Sequence, residues 1–271
     1  MIEIVQLNVY PVKSCRGTSL SEATLVESGF DLDRNWMFVD GSGTFLTQRE
    51  VPALALIEPR VSRDVLTLAA AGMAPLNVAR DSQRAGTRVR IWEEDCPAFD
   101  EGDGASAWIT EYLGFPARLV CVDPAFKRVS NPRWTGKFTA LNGFSDGYPL
   151  LVISTASIRD IGARLGEALP ADRFRPNIVV AGIEPYEEDY LDLLSGPDVA
   201  LKLVKPCSRC QIVNTDQATG RVGEEPLLTL ATYRRNARLD GAVTLGQNAI
   251  IIKGIGTKLR VGDRLNEWWT F

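Results

Sequence analysis

Cys207-Ser208-Arg209-Cys210 is the sharpest local feature of the sequence. Two cysteines separated by two residues can ligate a metal, form a redox disulfide or present one reactive thiolate, and the spacing alone does not choose. A structural zinc needs two more ligands, yet the chain has no histidine and its other cysteines, Cys15, Cys96 and Cys121, stand isolated. A thioredoxin-like pair opens a helix whose dipole lowers the thiol pKa, whereas Gln211-Ile212-Val213-Asn214 reads as extended chain. The dispersal of the five cysteines matches neither usual ferredoxin spacing. Two readings remain: a single thiolate favoured by the neighbouring Arg209, or two small buried residues at a strand end.

A second cluster, Tyr10-Pro11-Val12-Lys13-Ser14-Cys15-Arg16-Gly17, closes the first expected strand with two cations, a hydroxyl and a glycine. Lysine supplies charge while serine and backbone N–H groups supply directed donors, which suits a phosphate or another anion. The glycine spacing of a P-loop is absent, and the same turn also reads as solvated surface. Asp33-Arg34 and Arg49 flank an expected hairpin, and Phe174-Arg175-Pro176-Asn177 precedes a strongly apolar strand. An arginine beside a buried strand suits an ion pair as readily as a ligand. The absence of histidine removes Ser-His-Asp triads, His-ligated zinc and haem, and imidazole bases. Gly254-Ile255-Gly256 lacks the third glycine of a dinucleotide fingerprint and reads as a turn before the final strand.

The elements that must carry these residues are mostly strands. Residues 2–11 roughly alternate apolar and polar; residues 36–39 and 44–47 across Asp40-Gly41-Ser42-Gly43 read as one hairpin, 54–61 and 65–68 as another, and 87–92 as a further strand. Helical periodicity is confined to residues 104–113, 155–165 and 226–235. A Pro-, Gly- and Asn-containing stretch over 123–146 marks a boundary between two domains, 1–122 and 123–271. Strands at 177–181, 199–204 and 249–252 follow without regular strand–helix alternation. These features predict an α+β, β-rich, barrel-like fold with a few short helices.

At 271 residues, 45% hydrophobic and 24% charged, the chain can bury a sizeable core without disulfides. Its formal net charge of −4 gives no global field for nucleic acid or anionic lipid. No signal peptide or membrane-length apolar run is visible, and an odd number of cysteines suits a reduced cytoplasm. A cytoplasmic protein with neither nucleic-acid nor membrane partners is expected.

Tyr10-Pro-Val-Lys-Ser-Cys15, Asp33-Arg34-Asn35-Trp36, Phe45-Leu-Thr-Gln-Arg49, Phe174-Arg-Pro-Asn177, Cys207-Ser-Arg-Cys210, Thr219-Gly220 and Leu245-Gly246-Gln247 occur in one order along nearly the whole chain. In this the sequence resembles the MOSC proteins with an N-terminal MOSC β-barrel domain, which include the bacterial YcbX-type proteins and the mitochondrial amidoxime-reducing components. The resemblance implies an N-terminal MOSC-type barrel over 1–122, a barrel-like MOSC domain over 123–271, and a molybdenum cofactor (Mo-molybdopterin) shared between them. By motif position Cys210 is the catalytic residue and the molybdenum ligand, with Cys207 a neighbour. Lys13, Ser14, Arg34, Asp146, Arg175, Asn177, Ser208 and Arg209 would also line the cofactor, although Gly147 and Tyr148 depart from the Thr-Ser pair of the mitochondrial relatives. The implied activity is reduction of small N-hydroxylated compounds: amidoximes, hydroxylamines and N-hydroxylated bases. Some bacterial relatives carry a C-terminal iron–sulfur domain that this sequence does not show, so a separate iron–sulfur, flavin or cytochrome protein would supply the electrons. The competing implication, from the related cofactor-sulfurase domain, is a carrier of persulfide sulfur or of the cofactor itself.

Overall fold

The computed structural model describes residues 1–80 and 84–270. Seven strands close into a barrel in the order Leu150–Ser154, Ile178–Ala181, Ile2–Val9, Arg264–Trp269, Leu191–Ser195, Ala200–Ser208 and Ala242–Lys253, the last pairing back with the first. Leu150–Ser154 and Ile178–Ala181 form the parallel pair, joined through helix Thr155–Leu165, as a parallel crossover requires. Alternation in Ile2–Val9 changes phase at a bulge between Ile4 and Gln6, so Ile2 and Ile4 face the core before it and Leu7 and Val9 after it. These side chains meet Leu150, Val152, Ile178, Val180, Leu201 and Leu265 inside the barrel. Ile153 and Val179 point the other way and pack under helix Thr155–Leu165.

Residues 36–122 build outward from this barrel. An antiparallel sheet runs Trp36–Asp40, Ala117–Val122, Glu94–Asp100, Ala85–Ile91, and a three-stranded sheet runs Glu58–Val61, Val65–Ala69, Leu76–Ala79. Helix Asp103–Leu113 buries Ala105, Trp108 and Ile109 among residues of both sheets. Spatial grouping cuts across chain order: Ile2–Val9 completes a barrel otherwise built after residue 150, and Glu22–Val26 pairs with Lys258–Arg260. Among the described residues no helix is long and apolar enough to cross a membrane.

The fold is β-rich, as the sequence predicts, and local expectations divide. Helices Asp103–Leu113 and Thr155–Leu165 stop at Gly114 and Gly166, both left-handed. Residues 44–47 make isolated bridges to Arg90 and Val39 in place of a full strand. Residues 52–56 form a 3-10 turn opened by Pro52 before the strand proper begins at Glu58. The helix expected over 226–235 is shorter, Leu227–Ala231, and Arg235-Asn236 pairs instead as a short strand with Ala242-Val243. Gln211–Asn214, expected as extended, is a 3-10 turn. Its Ile212-Val213 pair looks strand-forming, but Val213 is buried beneath the neighbouring helices while Ile212 faces the cleft described next.

Candidate functional site

The Tyr10–Gly17 turn is held from both sides. Lys13 N–H donates to the Trp36 carbonyl at 2.7 Å, and Gln48 Nε2 donates to the Ser14 carbonyl at 2.6 Å. Ser14 has φ 67°, a left-handed conformation uncommon for a serine. Lys13 is buried, and its Nζ donates to the Phe144 carbonyl at 2.9 Å and to Asp146 Oδ1 at 2.5 Å. Burial pulls the Lys13 pKa down and Asp146 pulls it back. Desolvation opposes ionisation of Asp146, but Lys13, aided by Arg49 and Arg34, holds that carboxyl at about 2.

Arg34 and Arg175 form the next layer, again from left-handed backbone, with φ 51° and 53°. Both guanidiniums lie over the Tyr10 ring, 4.4 and 4.3 Å from its centre. Gly17 leaves room for that ring, since a Cβ there would sit 2.4 Å from it. Arg34 binds Asp33 Oδ2 at 2.5 Å, Asn177 Oδ1 at 3.1 Å and the Arg175 carbonyl at 3.2 Å. Asn177 is occupied within the protein, its amide donating to the Asn8 carbonyl while its oxygen also accepts from Leu151 N–H. Arg175 Nη1 donates to the Cys15 carbonyl at 2.7 Å, whereas its Nη2 is buried without a partner. Burial lowers the Arg175 pKa, with Arg34 adding to the effect.

The cysteine motif lies where strand Ala200–Ser208 ends against strand Ala242–Lys253. Pairing jumps from Pro206–Gln247 to Ser208–Thr244, so two residues, Leu245 and Gly246, stand opposite Cys207. Gly246 has φ 72°, the left-handed glycine of a bulge. Arg209 grips the bulged segment: its Nε and Nη2 donate to the Leu245 carbonyl at 2.9 and 2.7 Å, and its Nη1 to the Phe174 carbonyl at 3.0 Å. Arg209 thus ties the motif to the Phe174–Asn177 segment. Both thiols are free and half-buried. Burial pushes the Cys207 thiol up, against the pull of Arg209. Cys210 leaves the strand and precedes the Gln211–Asn214 turn.

Lys13, Ser14, Arg34, Asp146, Arg175, Asn177, Ser208, Arg209 and Cys210 all line one open cleft of about 140 Å³, and Cys207 lines it with them. The Phe45–Arg49 and Phe174–Asn177 motifs bring Arg49 and Arg175 there too. Sequence reasoning missed the lining residues Thr47, Ser145, Arg173 and Asn248, and left Tyr148 as a doubtful position. Arg173 carried a signal, since a residue two before Arg175 in a tight turn shares its surroundings. The wall holds six cations, Lys13, Arg34, Arg49, Arg173, Arg175 and Arg209, against one carboxylate, Asp146. In a protein of net charge −4 this is a focused positive field that selects an anion. Three strained residues and an unpartnered buried guanidinium N–H mark a pocket shaped for a ligand. Among the described residues no three Cys, Asp or Glu side chains gather as a metal-ligand set.

Residues 1–116 match the model of the MOSC N-terminal beta barrel domain, and residues 141–266 that of the MOSC domain. The chain is 35% identical to human mitochondrial amidoxime-reducing component 1 over 96% of its own length and 81% of that protein's. It is 35% identical to mitochondrial amidoxime reducing component 2 of Rattus norvegicus, over 83% of this chain and 70% of that one. A molybdenum cofactor sulfurase of Oryza sativa subsp. japonica is 32% identical over 86% of this chain, which spans 31% of that longer protein.

Proposed function

The chain belongs to the MOSC family, a MOSC N-terminal β-barrel domain followed by a MOSC domain, and from that premise we propose that it is a molybdenum-cofactor-dependent reductase of N-hydroxylated compounds. The observation that carries this reading is the convergence of two free thiols, Cys207 and Cys210, and six cations on one cleft, one guanidinium N–H among them unpartnered. That donor set fits the group: a soft thiolate for the metal and charged N–H donors for the phosphate of molybdopterin. When bound, the cofactor supplies two-electron redox chemistry, so histidine is not needed.

The chain's own residues then have distinct tasks. Cys210 offers its thiolate as the protein ligand to molybdenum. Lys13, Arg34 and Arg175 hold the phosphate, with Asp146 fixing the Lys13 ammonium and Asn177 fixing Arg34. Ser14 and Ser208 offer hydroxyls at the wall, while Arg209 keeps the cysteine motif seated on Leu245 and Phe174. Tyr148 Oη is buried without a partner, and burial pushes its pKa up to about 12, so it stays a neutral donor at the cleft wall. An amidoxime or hydroxylamine entering the cleft takes up two protons and two electrons and leaves as the amidine or amine plus water. The electrons come from a separate iron–sulfur, flavin or cytochrome protein.

Protein purified from cofactor-competent cells should hold about one molybdenum per chain, as one thiolate ligand implies, and reduced viologen should drive its reduction of an amidoxime. NADH alone should not. Absence of molybdenum, where a control molybdenum enzyme is loaded, overturns the reading. Persulfide sulfur on Cys210 without metal would assign a carrier role instead.

A further inference from the structure

Beside the cleft mouth a group of cations surrounds an aromatic centre. The Arg133 and Arg238 guanidiniums lie 5.7 and 5.5 Å from the Trp134 ring centre, and Lys205 Nζ lies 5.7 Å from it. The same Lys205 Nζ is 5.7 Å from the ring of Tyr148, which forms part of the cleft wall. Lys137 stands two residues beyond the helix Pro132–Thr135, 5.4 Å from the Phe138 ring. Three separate elements converge here: that helix, strand Ala200–Ser208 and the turn Ala237–Leu239. Arg133, Lys137 and Arg238 are exposed and Lys205 half-buried.

Among the described residues none of these four cations makes an ion pair, unlike Lys127, Lys202 and Lys258, which bind Glu27, Asp192 and Glu22. Of the cleft cations, Lys13, Arg34, Arg173, Arg175 and Arg209 are engaged with carbonyls or carboxylates, and Arg49 lies over the Trp92 ring. The four outer ones are held only against aromatic rings, which leaves their charge free to act outward.

We propose that the Arg133–Lys137–Lys205–Arg238 patch is the landing surface for the acidic face of the electron-carrying protein. This rests on the reductase reading, which requires repeated delivery of electrons to the adjoining cleft. A carrier must arrive fast, pass its electron at short range and leave. Charge-steered contacts of small area serve that cycle, because complementary charge raises the association rate without slowing release. Lys205 bridges the patch to Tyr148, so a carrier seated on Trp134 stands at the cleft wall.

The probe is an acidic [2Fe–2S] ferredoxin, with binding measured at low and moderate salt on the metal-loaded and metal-free protein. Reversal of all four cations to Glu should weaken binding about tenfold or more and flatten its salt dependence. A control carrying the same charge change at Arg60, Arg63, Arg88 and Arg159 should weaken it about twofold at most, as charges far from a contact are screened. Carbodiimide coupling should join ferredoxin carboxylates to Lys137 and Lys205. Unchanged binding in the patch variant, equal loss in the control, or no binding by the wild type at low salt each overturns the proposal. Patch-dependent binding by a protein that never acquires molybdenum would leave the docking surface standing while removing the reductase reading.

Discussion

Cys207 and Cys210 share a motif and a cleft but sit on different elements. Cys207 is still within strand Ala200–Ser208, and burial pushes its thiol up although Arg209 pulls the other way, so at neutral pH it is a protonated thiol. Cys210 has left the strand and stands at the start of the next turn. Cys210→Ser, a hard hydroxyl in place of a soft thiolate, should lose both the metal and viologen-driven turnover, while Cys207→Ser should keep most of each. Molybdenum per chain and rate per molybdenum check this together. Equal loss at both positions with unchanged circular dichroism would point to a dithiol site. The Lys13–Asp146 pair sets a second, pH-dependent expectation. Asp146 is held at about 2, below its ordinary 3.8, so its contribution to stability is full above the ordinary value and lost as pH falls toward 2. Asp146→Asn should remove that part of the acid sensitivity, a modest part because the Asp146 side chain is 66% exposed. Acid titration followed by tryptophan fluorescence tests it, and identical acid limbs in the two proteins would count against the pair.

Elements explain why some of this was legible in the sequence and some was not. Helices Asp103–Leu113 and Thr155–Leu165 were readable because apolar periodicity and a terminal glycine agree. The Gln211–Asn214 turn was not, because the burial of Val213 overrides the strand preference of Ile212-Val213. The motif positions of the site were legible, whereas Asn248 reaches the cleft through its pairing with Leu151 and Lys205 on distant strands, which local pattern does not encode. Nor does periodicity reveal the bulge at Leu245-Gly246, although it frees the Leu245 carbonyl for Arg209 and so aims the cysteine motif. Gly246 carries the strain: a Cβ there would lie 2.7 Å from the Val152 carbonyl and 3.5 Å from Arg209 Nη2. Gly246→Ala should therefore cost about 2–4 kcal/mol from positive φ and overlap combined. Arg209→Ala, which strands two carbonyls, should cost about 2–3 kcal/mol. Urea titration of both variants measures this, and wild-type midpoints would show that the bulge does not anchor the motif.

At the scale of the whole molecule, a chain of net charge −4 concentrates six cations in one cleft, drawn from both halves of the sequence. Lys13, Arg34 and Arg49 come from the first fifty residues and Arg173, Arg175 and Arg209 from beyond residue 170, so electrostatic repulsion in the empty cleft acts between distant parts of the chain. An anionic cofactor that binds only the folded state turns that repulsion into attraction. At a thousandfold excess over its dissociation constant such a ligand adds about 4 kcal/mol. At this chain length that is a rise in Tm of roughly 2 °C or more for each kcal/mol. The loaded protein should therefore melt several degrees above the metal-free form. Added salt, which screens like charges, should raise the Tm of the metal-free form more than that of the loaded one. If the proposed cofactor bridges both segments, hydrogen exchange should slow on loading around Lys13 and around Arg175 together. Calorimetry and exchange on matched samples decide the matter. Equal melting points at full molybdenum occupancy, or protection confined to one segment, would mean that the cofactor does not bridge the two halves of the cleft.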